Sequence, residues 1–190
     1  MIGKLLKKIF NIFNIVILYM DYIIVIPSYD REQLFLETTY KLLKDIPVDK
    51  YLLTDSDHKY KFIKGYEQMN APNGIKNIRN FIRRHFNGQR VLCIDDDLKG
   101  ISRGNFGKFV PLTSNDLKDF NDYAWTTMKQ EQCYLAGINL HYNPFFCRDT
   151  ITTNLTYING SYTFFDLKNN IEPIYIDVDH FEDYQTSIEY

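Results

Sequence analysis

Val91-Leu92-Cys93-Ile94-Asp95-Asp96-Asp97 joins four apolar residues directly to three carboxylates. The apolar half suits a strand buried on both faces, the pattern of a parallel sheet covered by helices. Three adjacent carboxylates repel one another and resist burial unless a positive group sits beside them. A divalent cation is one such group, because Mg²⁺ and Mn²⁺ take oxygen ligands and are commonly shared with substrate phosphates. The C-terminal end of a strand is also where open α/β sheets bind ligands. The stretch therefore predicts a strand that ends in a metal site for a phosphorylated substrate. An acidic turn without a ligand is the other reading of the triplet taken alone.

Two further runs repeat the pattern. Tyr22-Ile23-Ile24-Val25-Ile26 is continuous, apolar and β-branched, and it stops at Pro27-Ser28-Tyr29-Asp30. Tyr51-Leu52-Leu53-Thr54 ends in Asp55-Ser56-Asp57-His58. Between the strands, residues 33–43 carry Leu34, Thr38, Leu42 and Leu43 at helical spacing, and residues 74–85 align Ile75, Ile78 and Ile82 on one helix face. Strand and helix alternating in this way predict a single α/β domain with a mainly parallel central sheet flanked by helices. In such a sheet all strand ends share one edge. Ser28 and Asp30, Asp55 and Asp57, and Asp95 to Asp97 then converge on it.

Beyond Asp97 the periodicity weakens. Residues 98–110 are Gly-rich and read as a mobile loop beside the site. Ser114-Asn115-Asp116 offers caps for a helix over 117–130. Residues 135–139, 152–158, 161–165 and 174–177 read as strands, with Ile158-Asn159-Gly160-Ser161 as a hairpin-type turn.

Composition bounds the rest. The chain has 190 residues, 45% hydrophobic and 24% charged, enough for one domain with a real core. Its net charge of −2 excludes a global basic field for nucleic acid. Cys93, Cys133 and Cys147 lack CxxC spacing and read as reduced thiols of a soluble intracellular protein. Residues 1–20 form an apolar leader or non-native extension ahead of a domain over 21–190. Its apolar run falls short of the ~20 residues of a spanning helix, so weak interfacial association is the rival reading.

Gly74 opens the second helix and places Arg79 one turn inside, four residues from Arg83. Two guanidinium groups at that spacing share a face and suit a diphosphate. Arg83 and Arg84 read instead as a solvated basic face, and the glycine and asparagine flanking Arg79 direct Arg79 to the site.

In order, Ile26-Pro27-Ser28-Tyr29-Asp30-Arg31, the Gly74-x-x-x-x-Arg79-Asn80 helix and Val91-x-x-Ile94-Asp95-Asp96-Asp97 resemble the nucleotide-sugar half of a GT-A (Rossmann-like) glycosyltransferase. More narrowly, Leu135-Ala136-Gly137-Ile138, Tyr157-Ile158-Asn159-Gly160-Ser161 and Phe181-Glu182-Asp183-Tyr184-Gln185-Thr186-Ser187 resemble the TET/JBP-associated, base J glucosyltransferase-like enzymes. The resemblance spans residues 22–187. It implies Mn²⁺ or Mg²⁺ on Asp95 and Asp97, with Asp97 the direct ligand and Asp96 on sugar or ribose. It implies nucleoside and phosphate contacts from Pro27, Ser28, Tyr29, Asp55 and Arg79, and an acidic catalytic pair in Glu182 and Asp183. His180 and His141 are further metal candidates. The implied reaction is an inverting transfer from a nucleoside-diphosphate sugar, with a UDP-sugar the expected donor. Under the narrower resemblance the acceptor is a hydroxymethylated pyrimidine in DNA. No stable protein partner is expected. Members of that family continue past the acidic pair, whereas this sequence ends at Tyr190, so a C-terminally truncated domain is expected. A nucleotidyltransferase using the triplet for metals, or a nucleotide-binding module without catalysis, are the alternatives.

Overall fold

The structure, a computed structural model, describes residues 21–190 apart from 56, 58, 106, 140–142, 148–149, 154–155 and 170–173. The leader over 1–20 and His141 lie outside the described residues. In chain order the elements are β1 (Ile23–Pro27), α1 (Glu32–Glu37), α2 (Thr39–Leu43), β2 (Lys50–Thr54), β3 (Glu67–Asn70), α3 (Ile75–His85) and β4 (Arg90–Ile94). There follow β5 (Ser102–Asn105), β6 (Lys108–Pro111), α4 (Ser114–Glu131), β7 (Leu135–Gly137), β8 (Tyr162–Asp166) and α5 (Glu182–Glu189). One six-stranded sheet runs β3-β2-β1-β4-β8-β7, parallel across its first four strands and antiparallel at β8 and β7. The α/β class and mainly parallel sheet expected from the sequence are what the chain adopts.

Strands β1 and β4 are apolar at consecutive positions because helices cover both faces of the sheet. Ile24, Ile26, Leu92 and Ile94 pack with Phe35 of α1, Leu43 of α2 and Leu117, Trp125 and Met128 of α4. The intervening Ile23, Val25, Val91 and Cys93 pack with Ile82 of α3 and Phe86 just past its end, and Tyr190 at the end of α5 joins that face. Burying each such aliphatic side chain contributes about 1.5–3 kcal/mol, so two-sided burial makes β1 and β4 the least replaceable strands. On the α4 face, Asn121 is fully buried; its amide donates to Tyr22 Oη at 3.2 Å and accepts from the Tyr162 hydroxyl at 2.7 Å.

Several elements depart from the sequence-based expectation. The helix over 33–43 breaks at Thr38 (φ −119°, ψ −98°), whose hydroxyl bonds Leu34 O at 2.6 Å and Asp96 O at 3.0 Å. Competition for a backbone carbonyl is what a mid-helix threonine offers. The expected loop over 98–110 holds a separate hairpin, β5 with β6. The cap of α4 is Thr113, one residue ahead of the expected caps, and it forms a reciprocal capping box with Asp116. The described residues of 152–158 are not in a strand, and β8 pairs with β4 and β7 instead. Residues 174–177 are not a strand either: the Asn80 side chain takes both backbone groups of Ile176, accepting its N–H at 2.7 Å and donating to its carbonyl at 2.8 Å. Among the described residues no helix is long and apolar enough to cross a membrane.

Candidate functional site

Register decides which strand ends meet. Pro27 lies opposite Leu53, and Val25 opposite Cys93. Continuing each strand by the same step brings Ser28 beside Asp96, and Tyr29 beside Asp55. Chain order reverses between β1 and β4, because β2 and β3 build one way from β1 and β4 takes its other side. Such a switch point opens a crevice at the carboxyl ends of the strands. The converging edge read from the sequence is therefore formed, with the Asp triplet at its centre.

Alternation along β4 sends the triplet's neighbours to opposite faces. Asp96 follows Leu92 and Ile94 to the α1–α2 face, where it is 0% exposed. Its Oδ2 accepts a hydrogen bond from Ser28 Oγ, and its Oδ1 is ion-paired with Arg31 Nη2 at 2.6 Å. Ser28 Oγ and the Tyr60 hydroxyl share a bond of 2.6 Å, and Tyr60 Oη accepts the Arg31 amide at 2.8 Å. Since the Ser28 proton goes to Asp96, the Tyr60 proton goes to Ser28. Burial pushes the Asp96 carboxyl above the ordinary carboxylate range; Ser28 and Arg31 pull it back without reversing it. Arg31 also reaches Asp97 Oδ2 at 3.3 Å, whose side chain is 50% exposed. Below the triplet, Thr39 Oγ1 donates to Asp95 O at 2.8 Å and accepts the Leu98 amide at 2.9 Å. Breaking the first helix at Thr38 thus lets two hydroxyls hold the backbone of the acidic loop.

On the opposite face, Arg79 of α3 is the hub. Its Nη2 donates to Asp95 Oδ1 at 3.3 Å, its Nε to Glu182 Oε1 at 3.3 Å, and its Nη1 to Cys93 Sγ at 2.9 Å. Burial alone would lower the Arg79 pKa, but Cys93, Asp95 and Glu182 outweigh it and hold the guanidinium above its ordinary value. Gly160 makes room for this hub, since a Cβ there would lie 3.1 Å from Arg79 Nη2 and 3.5 Å from Glu182 Oε1. Arg83 is a correction to the solvated basic face expected for it. It is buried, donates from Nη2 to Thr186 Oγ1 at 2.9 Å, and lies 5.0 Å from the Phe165 ring centroid. Burial lowers its pKa. Only Arg84 keeps to the surface, stacked on Tyr175 at 4.6 Å.

Glu182 and Asp183 form the first turn of α5, a favourable place for carboxylates on electrostatic grounds. Neither caps the helix from the cap position, which Phe181 occupies with φ +59°. Asp183 Oδ1 accepts the Tyr184 amide at 3.0 Å, and its Oδ2 accepts the Tyr157 hydroxyl. Burial first, and the bond to Asp183 second, push the Tyr157 phenol up to about 12. Arg79 links this pair to the triplet, because Asp95 and Glu182 share its guanidinium.

Pro27 closes β1, Tyr29 stands exposed on the same edge, and Asp55 is buried just past β2, accepting the Asp57 amide at 3.0 Å. His180 lies exposed in the turn before α5. Asp95 and Asp97 offer hard oxygen donors that are both open to solvent, whereas Asp96 is turned inward. Among the described residues no three His, Cys, Asp or Glu side chains are grouped to hold a metal by themselves. Two carboxylates are nonetheless the donor set of a magnesium-type ion that completes its shell with substrate phosphate and water, so the residues fit such an ion. Sequence reasoning missed Tyr60, Thr39 and the role of Arg31. Arg31 directly follows the quoted Pro27-Ser28-Tyr29-Asp30 stretch, and Tyr60 carried no signal.

No family model matches the chain, and no curated protein does. Among solved structures, the apo form of the glycosyltransferase GlyE of Streptococcus pneumoniae TIGR4 is similar with a TM-score of 0.26 and 11% identity, over 66% of this chain and 41% of that one. This chain therefore spans less than half the length of that protein. The functional reading rests on the site's own geometry.

Proposed function

We propose that the chain is a GT-A-type glycosyltransferase, moving a sugar from a nucleoside-diphosphate sugar to an acceptor hydroxyl with inversion. The observation that carries this reading is the meeting of Ser28, the Asp triplet and Glu182–Asp183 at one switch-point edge, tied together by Arg79. Tyr29 and Asp55, side by side on that edge, would face the nucleoside of a UDP-sugar. Asp95 and Asp97 would hold Mn²⁺ or Mg²⁺, and the ion would supply positive charge to the departing diphosphate. Arg31, half-exposed and shared between Asp96 and Asp97, adds a second positive charge at the same mouth. Asp96, Ser28 and Tyr60 keep the loop's shape, and Arg79 holds Asp95 and Glu182 in register.

Asp183 is the base. Tyr157 and the Tyr184 amide fix its two oxygens, and each oxygen keeps a lone pair for a further donor. The acceptor O–H gives its proton to that carboxylate as its oxygen bonds to the anomeric carbon. The bond from that carbon to the diphosphate breaks, its electron pair leaving with the phosphate oxygen. Under the narrower family resemblance the acceptor is a hydroxymethylated pyrimidine in DNA. A binding module without transfer is the second reading, favoured by the two donors already on Asp183.

Incubation with Mn²⁺ and a panel of UDP- and GDP-sugars tests the proposal through release of nucleoside diphosphate. Release is expected with at least one donor; Asp97→Ala abolishes metal-dependent donor binding, and Asp183→Ala retains binding but stops transfer. Release from no donor, or intact donor affinity in Asp97→Ala, overturns it.

A further inference from the structure

Beside Asp183 the surface exposes aromatic rings that the donor chemistry does not use. Phe181 is 74% exposed, Tyr184 51% and Tyr157 43%. Tyr157 and Tyr184 are stacked, with centroids 4.2 Å apart at 24°, and Phe181 meets Tyr184 edge-on at 6.0 Å. Phe181 also has φ +59°, a left-handed backbone that a bulky residue adopts at a cost. A strained residue that keeps its phenyl ring in water, next to two more exposed rings, marks a surface that waits for a ligand.

The charge of this face selects the ligand. Residues 174–190 carry Asp177, Asp179, Glu182, Asp183 and Glu189 and no Lys or Arg. Lys76, which reaches the segment, is paired with Asp179 at 3.6 Å, Arg79 is buried under Asp95 and Glu182, and the exposed Arg84 lies over Tyr175 at the start of the segment. A nucleic acid needs cations for its phosphates, and the five carboxylates of this segment outnumber Lys76 and Arg84, so the balance of charge disfavours one. An ammonium ligand wants rings arranged as a box around it, and the near-parallel Tyr157–Tyr184 pair leaves no slot between its faces. A neutral sugar ring suits what is present: an apolar C–H face to lie on exposed aromatic rings, and hydroxyls that donate to a carboxylate.

We infer that Phe181, Tyr184 and Tyr157 form an acceptor platform for a neutral carbohydrate, with one sugar hydroxyl directed to Asp183. The inference rests on the transfer reaction proposed above and replaces its DNA acceptor with a glycan. Tyr157 serves twice, stacking under the platform through Tyr184 and orienting Asp183 through its hydroxyl.

Saturation-transfer NMR with lactose and methyl glucoside, in the absence of donor, reads the platform directly. The expected result is transfer to the sugar C–H protons that persists at raised salt and drops about fivefold or more in Phe181→Ala and in Tyr184→Ala, as loss of a stacking ring predicts. Both side chains are exposed, and circular dichroism checks that each variant folds. Unchanged saccharide binding in both variants overturns the inference. So does salt-sensitive binding of a hydroxymethylcytosine oligonucleotide, or binding of choline, with no saccharide signal. Nucleoside diphosphate release without acceptor separates the two proposals. Saccharide binding with no release from any donor removes the transferase reading alone, and release without saccharide binding removes the platform alone.

Discussion

Replacing Arg79 with methionine keeps most of the side-chain volume and removes the charge on which Asp95, Glu182 and Cys93 converge. Each carboxylate lies 3.3 Å from a guanidinium nitrogen. At an effective dielectric near 20, one such pair is worth roughly 4 kcal/mol before desolvation. Withdrawing a 6%-exposed guanidinium from water offsets much of that gain, so the hub as a whole adds little net stability. Removing one partner alone is another matter, since it leaves two carboxylates facing each other partly buried. That loss is about 3–5 kcal/mol. With a urea slope of about 2 kcal/mol/M, the midpoint falls by roughly 1.5–2.5 M. Trp125, buried on the opposite face of the sheet, reports global unfolding by fluorescence. Glu182→Gln supplies the decisive control. Beside Arg79 it destabilises, because a charge-assisted bond becomes a neutral one. Beside Met at 79 it stabilises by about 1 kcal/mol, because a repelling charge disappears. A midpoint shift under about 0.5 M for Arg79→Met, or a Glu182→Gln effect of the same sign in both backgrounds, refutes the hub.

Asn80→Ala deprives Ile176 of both its backbone partners, so the Ile176 amide should lose hydrogen-exchange protection while β1 and β4 keep theirs; equal protection in mutant and wild type contradicts the assignment. Burial pushes the Tyr22 phenol up to about 12, and raises Tyr66 and Tyr162 further. These three hold their protons more tightly folded than unfolded, so their contribution is complete below the ordinary value of 10.0 and is lost as pH rises from there, through about 12 for Tyr22 and higher for the other two. Spectrophotometric titration should find them protonated at a pH where the exposed tyrosines have ionised; simultaneous titration of all tyrosines counts against the burial.

Where sequence was enough, local chemistry and global fold agreed. The runs ending at Pro27, Thr54 and Asp95 are apolar at every step because both faces are covered, and no other context suits them. Where it failed, the deciding partner lay far along the chain. Glu67 to Asn70 forms a strand although no apolar pattern announces it, because as an edge strand it needs only β2 beside it. Ile174 to Asp177 has strand composition, yet a side-chain amide 96 residues upstream satisfies its backbone. Arg83 looked like one charge on a basic helix face, and only the return of α5 over that face buries it. The candidate site divides in the same way. The acids were visible as a cluster; the groups that restrain them, Arg31, Thr39 and Tyr60, were not.

The bonds that assemble the site join residues far apart in the chain. Ser28 reaches Asp96 across 68 residues, and Arg79 reaches Glu182 across 103. Closing loops of that length is slow, because ordering entropy is spent before any contact rewards it. Helices α3 and α4 can form from local contacts well before that. The edge where Ser28, the Asp triplet and Glu182 meet should therefore appear in the final kinetic phase of folding, and recovery of the nucleotide binding proposed for it should lag behind recovery of helical circular dichroism.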